Sequence, residues 1–233
     1  MKFYSNHLRD IVRPNALPNI LNVAVTGGIG SGKSTVAKGL QVRGAALVDL
    51  DAISRRITAA GGLAIEPLRH AFGSHMIDEN GALNRMAMRE LVFKNADNKR
   101  QLEIITHPII YAQALKEAHT ATQLDVLCIV YDIPLLFGNP KWLDVLDCVV
   151  YVSCASETRI ERVLKRNPEY TYDTVKSIIA VQPTHQELAS ISDVEIENSA
   201  NDTKRLQLNE QLNILKEYIN NLSVAKQILI NNL

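Results

Sequence analysis

The sequence predicts an α/β fold, and three observations predict it. Apolar, β-branched runs at 20–25, 45–48, 126–131 and 148–152 have the length and composition of buried strands. Helical segments with apolar residues at three- and four-residue spacing lie between and after them. The first run leads straight into Gly27-Gly28-Ile29-Gly30-Ser31-Gly32-Lys33-Ser34-Thr35, which fills every required position of the phosphate-binding pattern G-x-x-x-x-G-K-[ST].

That pattern makes a nucleoside triphosphate the first ligand to consider. Its glycines let successive backbone N–H groups turn inward around an anion. Lys33 then reaches the β/γ-phosphates, Ser34 is placed to ligate magnesium, and the following helix directs the positive end of its dipole at the same phosphates. Val36, Ala37, Leu40 and Val42 give this helix a buried face, and Gly44 closes it.

The whole chain bounds the answer. With 233 residues, 46% of them hydrophobic, it is able to bury one large core, or one core carrying an inserted subdomain. Lys plus Arg and Asp plus Glu both number 25, so no net basic field favours nucleic acid or an anionic membrane. Cys128, Cys148 and Cys154 form no C-x-x-C pair and read as buried thiols, which fits a reducing cytoplasm. Residues 1–19 contain no apolar signal core and read as a surface extension. No segment supplies the ~18 apolar residues of a membrane span, so a soluble protein is expected.

After the first helix, the strand 45–48 delivers Asp49-Leu50-Asp51 to the edge where α/β sheets place ligands. One carboxylate suits the acceptance of a hydroxyl proton and the other the orientation of magnesium-bound water or substrate; either is equally suited to capping a helix. Residues 53–72 read as two helical pieces separated by Gly61-Gly62 and ended by Gly73. Asp78-Glu79-Asn80-Gly81 reads as a turn, and Asn84 as the cap of a helix with Met86, Leu91, Val92 and Phe93 as its apolar positions. A helix from Asp97 is expected to end before His107-Pro108, with Pro108 opening a new one through about residue 118. His107 is then either a substrate ligand or a helix-start residue bonded to backbone.

The run 126–131 brings Asp132 to a strand end, where an acid either holds magnesium or caps the next loop. A helix at 156–166 sets Arg159, Arg162 and Arg166 along one face, as a solvated surface or as a clamp on a transferring phosphoryl group. Residues 167–170 break the pattern, Thr171 caps a helix toward Gln182, and Pro183 interrupts again, as in a mobile lid or a rigid hairpin. Residues 194–197 alternate as a short edge strand, 198–202 form a turn, and an amphipathic helix runs through Leu206, Leu212, Leu215 and Ile219, with 223–233 as an extension of it.

These residues in this order resemble the dephospho-coenzyme A kinase family from about 22 to 219. The resemblance rests on the phosphate loop, Val48-Asp49-Leu50-Asp51, Phe72-Gly73, Asn80-Gly81-Ala82-Leu83-Asn84-Arg85, Val92-Phe93, Leu102-Glu103, His107-Pro108, Ile133-Pro134-Leu135-Leu136-Phe137, Arg162, Arg166, Gln182 and Asn198. It implies a P-loop NTPase three-layer fold with a five-stranded parallel sheet, an inserted helical substrate subdomain at about 53–120 and a helical lid at about 162–190. Residues 20–220 form the kinase domain, and 1–19 and 221–233 flank it as extension and tail.

The resemblance also implies ATP- and Mg²⁺-dependent phosphorylation of the ribose 3′-hydroxyl of dephospho-coenzyme A in the cytoplasm. Asp51, Lys33, Arg162 and Arg166 are then catalytic, with Asp51 as the base. Gly28, Ile29, Gly30, Ser31, Gly32, Lys33, Ser34 and Thr35 bind the nucleotide. Asp49, Arg85, His107, Pro134 and Leu135 bind the acceptor, and Ser34 and Asp49 hold the metal. Neither nucleic acid nor membrane is implied as a partner, and no oligomeric state follows. Gly138, Arg159, His185 and Leu188 depart from the family pattern. The competing readings are a kinase for another small metabolite or nucleoside monophosphate, and a nucleotide-binding regulatory module.

Overall fold

The computed structural model describes residues 1–4, 17, 19–134, 136–199 and 205–232, with the side chain of Arg205 excepted. Leu135, much of the expected N-terminal extension, residues 200–202 of the expected turn and Leu233 lie outside the described residues. The chain divides into two compact units, one comprising Met1–Val48 and Ala121–Leu233, the other Asp49–Thr120.

The first unit is built on a six-stranded sheet of order β1-β6-β5-β2-β4-β3. Its strands are β1 (Lys2–Phe3), β2 (Asn22–Thr26), β3 (Ala46–Asp49), β4 (Ile129–Asp132), β5 (Cys148–Ser153) and β6 (Val194–Glu197). β2 pairs in parallel with β4 and β5, and β5 in parallel with β6. The expected sheet of five parallel strands is thus extended to a mixed sheet, because β1 pairs antiparallel with β6. β6 is therefore not an edge strand, and residues 2–4 of the expected extension are bonded to it or to Asp193 beside it. A two-residue strand has no periodicity to read. It is held by Tyr4 N–H donating to Asp193 C=O at 2.8 Å and by the Tyr4 hydroxyl donating to the Glu195 carboxylate.

Side chains alternate across these strands. Val23, Val25, Val130, Cys148, Val150, Val152, Val194 and Ile196 form one core with Val36, Ala37 and Leu40 of α1 (Lys33–Gln41) and with Leu212, Leu215 and Ile219 of α10 (Arg205–Asn231). Burial in this core pushes the Cys128 thiol up to about 12. Val42, expected on the buried face of α1, is 85% exposed because the helix ends at Gln41 and the turn to Gly44 carries it outward. The opposite sheet face carries Tyr131, whose ring lies 5.5 Å from that of Trp142 in α6 (Pro140–Leu143).

α10 continues to Asn231, through the residues expected to extend it. Its Lys226 and the partner Asp147 are both buried, with Nζ 2.7 Å from Oδ2. All three ammonium protons are used, since Nζ also donates to Leu17 C=O at 2.9 Å and Ile20 C=O at 2.8 Å.

After β5 come α7 (Ser156–Arg166), α8 (Tyr172–Ala180) and α9 (His185–Ser190). The breaks read from sequence fall at their boundaries. Thr171 caps α8, accepting from Thr174 N–H at 3.2 Å, and Thr184 caps α9 in a reciprocal pair with Glu187. Ile160, Val163 and Val175 join α7 to α8.

The second unit contains α2 (Leu50–Ile57), α3 (Ile65–Phe72), a 3₁₀ turn at Ser74–Met76, α4 (Arg85–Lys94) and most of α5 (Ala96–Ala121). Asn84 caps α4, accepting from Ala87 N–H at 3.1 Å. Met86 and Phe93, read as apolar positions of α4, are 73% and 82% exposed, and Met88 is buried. α5 is one helix running through Pro108, where two helices were expected. The acceptor that loses its ladder donor at Pro108 is the Ile104 carbonyl. Ile104 sits on the exposed side of α5, where solvent can reach its carbonyl, while Thr106, Ala114 and Ala118 bury the other side.

Candidate active site

The phosphate loop spans the end of β2 to the start of α1, both in the first unit. Gly30 has φ 74°, and a Cβ there would stand 2.5 Å from the Arg159 carbonyl oxygen, so both backbone conformation and the approach of α7 require glycine. Lys33 Nζ donates to Gly28 C=O at 3.2 Å, folding the side chain back over the loop. The hydroxyls of Thr26 and Ser31 are buried without a hydrogen-bond partner among the described residues. Buried hydroxyls normally find partners, so these two fit a site completed by a polar ligand.

Ser34 Oγ donates to Asp132 Oδ2 at 2.7 Å. The pair follows from topology: Asp132 ends β4 and is aligned with Val25 of β2, next to the strand that feeds α1. A hydroxyl and a buried carboxylate are hard oxygen donors, the set magnesium prefers, so these residues fit that ion. The sequence reading grouped Asp49 with Ser34. In the structure Asp49 caps α2, its Oδ1 accepting from Ala52 N–H at 2.8 Å, with Oδ2 4.0 Å from Arg55.

Of the three arginines on α7, Arg159 and Arg162 face the loop and Arg166 is exposed. Arg162 Nη1 lies 3.5 Å from Gly30 C=O and 3.4 Å from Ser31 C=O. Asn198 Nδ2 donates to Ser31 C=O at 2.8 Å. Arg159 Nε donates to Ile29 C=O at 2.8 Å, and Gln182 Oε1 accepts from Ile29 N–H at 3.0 Å. The sequence reading singled out Arg159 and Arg162 by their spacing and quoted Gln182 and Asn198 among the residues of the resemblance, but did not foresee that they brace the loop. Pro134 follows β4 and is half-buried.

The second unit holds the remaining candidates. Asp51 is exposed in the first turn of α2. Arg85 is the first residue of α4, with Nη2 donating to Thr58 Oγ1 at 2.9 Å. His107 is exposed within α5, one residue before Pro108, and so is not at a helix start.

A cavity of about 610 Å³ opens between β5, β6 and α9. Glu195, only 4% exposed, faces it. Burial alone would raise its pKa, but hydrogen bonds from Ser153 and Tyr4 with the charges of His185 and Lys2 hold the carboxyl below the usual glutamate range. The sequence reading gave 194–197 only as an alternating edge strand and predicted neither the burial of Glu195 nor these partners.

A family model described as Dephospho-CoA kinase matches residues 21–204. The chain belongs to the dephospho-CoA kinase family. As a member it is a kinase, a phosphotransferase. The dephospho-CoA kinase of Burkholderia lata is 43% identical over 178 residues, 76% of this chain and 86% of that one. The dephospho-CoA kinase of Ralstonia nicotianae is 42% identical over 181 residues, covering 76% and 88%. A crystal structure of a Thermus thermophilus protein superposes with a TM-score of 0.70 at 28% identity, covering 85% of this chain and 98% of that one. The Campylobacter jejuni dephospho-CoA kinase gives a TM-score of 0.57 at 21% identity over 91% and 98%, a likeness of fold.

Three departures from the dephospho-CoA kinase pattern have structural roles: Arg159 bonds Ile29 C=O, Leu188 is buried and the His185 ring nitrogen lies 3.2 Å from the Tyr151 hydroxyl. The family match stops short of Lys226 and begins after β1, so both are features beyond it. No described helix is long and apolar enough to cross a membrane.

Proposed function

We propose that this kinase transfers the γ-phosphoryl group of ATP to the ribose 3′-hydroxyl of dephospho-coenzyme A. The observation that carries the nucleotide half is the Ser34–Asp132 pair, 2.7 Å apart beside a glycine-built loop that retains unpartnered buried hydroxyls. The acceptor half rests on family membership.

The loop from Gly28 to Thr35 binds the phosphates through backbone N–H groups and the α1 N-terminus. Ser34 and Asp132 would hold magnesium, which would supply neutralisation of phosphate charge. Lys33 leaves Gly28 C=O for the phosphates, and Arg162 and Arg166 stabilise charge on the transferring group. Asp51 takes the proton of the attacking hydroxyl; Asp49, already engaged at the α2 N-terminus, orients this turn. Arg85, His107, Pro134 and Leu135 recognise the acceptor.

The test is incubation of purified protein with ATP, magnesium and dephospho-coenzyme A, with adenosine, AMP and shikimate as competing acceptors. The expected product is coenzyme A, with the new phosphate located at the 3′ position by NMR. Preferential phosphorylation of another acceptor would overturn the assignment.

A further inference from the structure

The Ile29 peptide is held at both ends by side chains that follow β5. Gln182 Oε1 accepts from Ile29 N–H at 3.0 Å, Arg159 Nε donates to Ile29 C=O at 2.8 Å, and Arg159 Nη2 donates to the same Gln182 Oε1 at 2.6 Å. One amide oxygen therefore sits between a loop N–H and a guanidinium N–H, the two donor types that recognise phosphate oxygens.

That oxygen also stands in the approach to the loop. A Cβ built on Gly28 would lie 2.2 Å from Arg159 Nη2 and 2.9 Å from Gln182 Oε1. Glycine in a phosphate loop keeps a lane clear for the ligand, and here an amide and a guanidinium fill it. Both acceptors of this half-buried guanidinium, Ile29 C=O and Gln182 Oε1, are neutral. Arg159 and Gln182 further line the 610 Å³ cavity beside Ser153, His185 and Glu195, so the Gln182 side chain has space into which to withdraw.

We infer that Arg159 is a phosphate-binding residue held in reserve by Gln182, and that a nucleotide phosphate oxygen displaces Gln182 Oε1 from Ile29 N–H and takes over the Arg159 Nη2 hydrogen bond. The exchange leaves neither donor unpaired. It turns the neutral bond from Ile29 N–H into a charge-assisted one, roughly twice as strong, and the Arg159 bond into a pairing of opposite charges. The inference rests on the nucleotide-binding half of the function proposed above and not on the acceptor.

The test is calorimetric titration of the full chain with adenosine, ADP and a non-hydrolysable ATP analogue in magnesium. Gln182→Ala removes the competitor, and the phosphorylated ligands bind about 5-fold tighter, since apparent affinity scales with the open fraction. Gln182→Glu puts a carboxylate in the same place, pairs more strongly with Arg159, and weakens the same ligands. Arg159→Lys keeps the charge but loses the fork, and also weakens them. Adenosine affinity is unchanged in all three variants. Weaker binding of the phosphorylated ligands to Gln182→Ala, or a shift of the same size for adenosine, would show that the brace only shapes the loop and would overturn the inference. Opposite shifts in the two Gln182 variants, with no phosphorylation of dephospho-coenzyme A, would uphold it and overturn the acceptor assignment alone.

Discussion

Ser34 and Asp132, 98 residues apart in sequence, meet with Oγ 2.7 Å from Oδ2. Adjacent parallel strands make the meeting: β2 feeds the loop that presents Ser34, and β4 ends on Asp132. The sequence supplies a hydroxyl and an acid; the register makes them a pair of oxygen ligands.

If this pair holds magnesium, Asp132→Asn raises the magnesium concentration needed for half-maximal turnover by about 10- to 100-fold, the range for disturbing a metal's supporting groups. Turnover measured against magnesium, with ATP saturating, checks this. An unchanged magnesium dependence would return Asp132 to a loop-capping role.

Asp51→Asn lowers turnover by roughly 10²- to 10⁴-fold, the usual contribution of a positioned base, with little effect on ATP affinity. Asp49→Asn retains its cap, since Asn serves the N-cap position as well as Asp. Its thermal unfolding therefore matches the parent, whereas Asp49→Ala loses about 0.5–2 kcal/mol. Full activity of Asp51→Asn beside an inactive Asp49→Asn would move the base to Asp49.

Lys226→Met leaves the Asp147 carboxylate buried without its counterion and costs about 3–5 kcal/mol in urea unfolding. Lys226→Met combined with Asp147→Leu recovers part of that loss, because no unpaired charge remains. A loss below about 1 kcal/mol for the single variant would place the pair among weak surface bridges.

The Glu195 carboxyl is held below the ordinary glutamate value of 4.5 in the folded protein. A depressed folded pKa contributes stability that is complete above the unfolded value and is lost as pH falls through the folded one. Urea midpoints measured from about pH 7 down to about pH 3 should therefore fall less steeply for Glu195→Gln than for the parent. Parallel pH profiles would refute a stabilising ionised Glu195.

Much of the active-site region was legible locally. The 27–35 pattern specified a loop, a lysine and a hydroxyl because glycine, charge and spacing act within one turn of chain. Asp132 stood at a recognisable strand end. The break at Pro183 and the caps Asn84 and Thr171 were also local signals, and the helices obey them. Pro108 misled because a long helix with one buried side tolerates a missing donor on its wet side.

By itself the sequence determined an α/β chain with a phosphate loop, five of its strands, and the ordered residues that mark the family. All of these are written in short-range periodicity and spacing. Only the tertiary structure decided that β1 covers β6, that Lys226 reaches Asp147, and that Gln182 and Arg159 close on Ile29. Each of the three joins residues far apart in sequence, so which donor finds which acceptor depends on strand order and helix placement, and no window of sequence contains both partners.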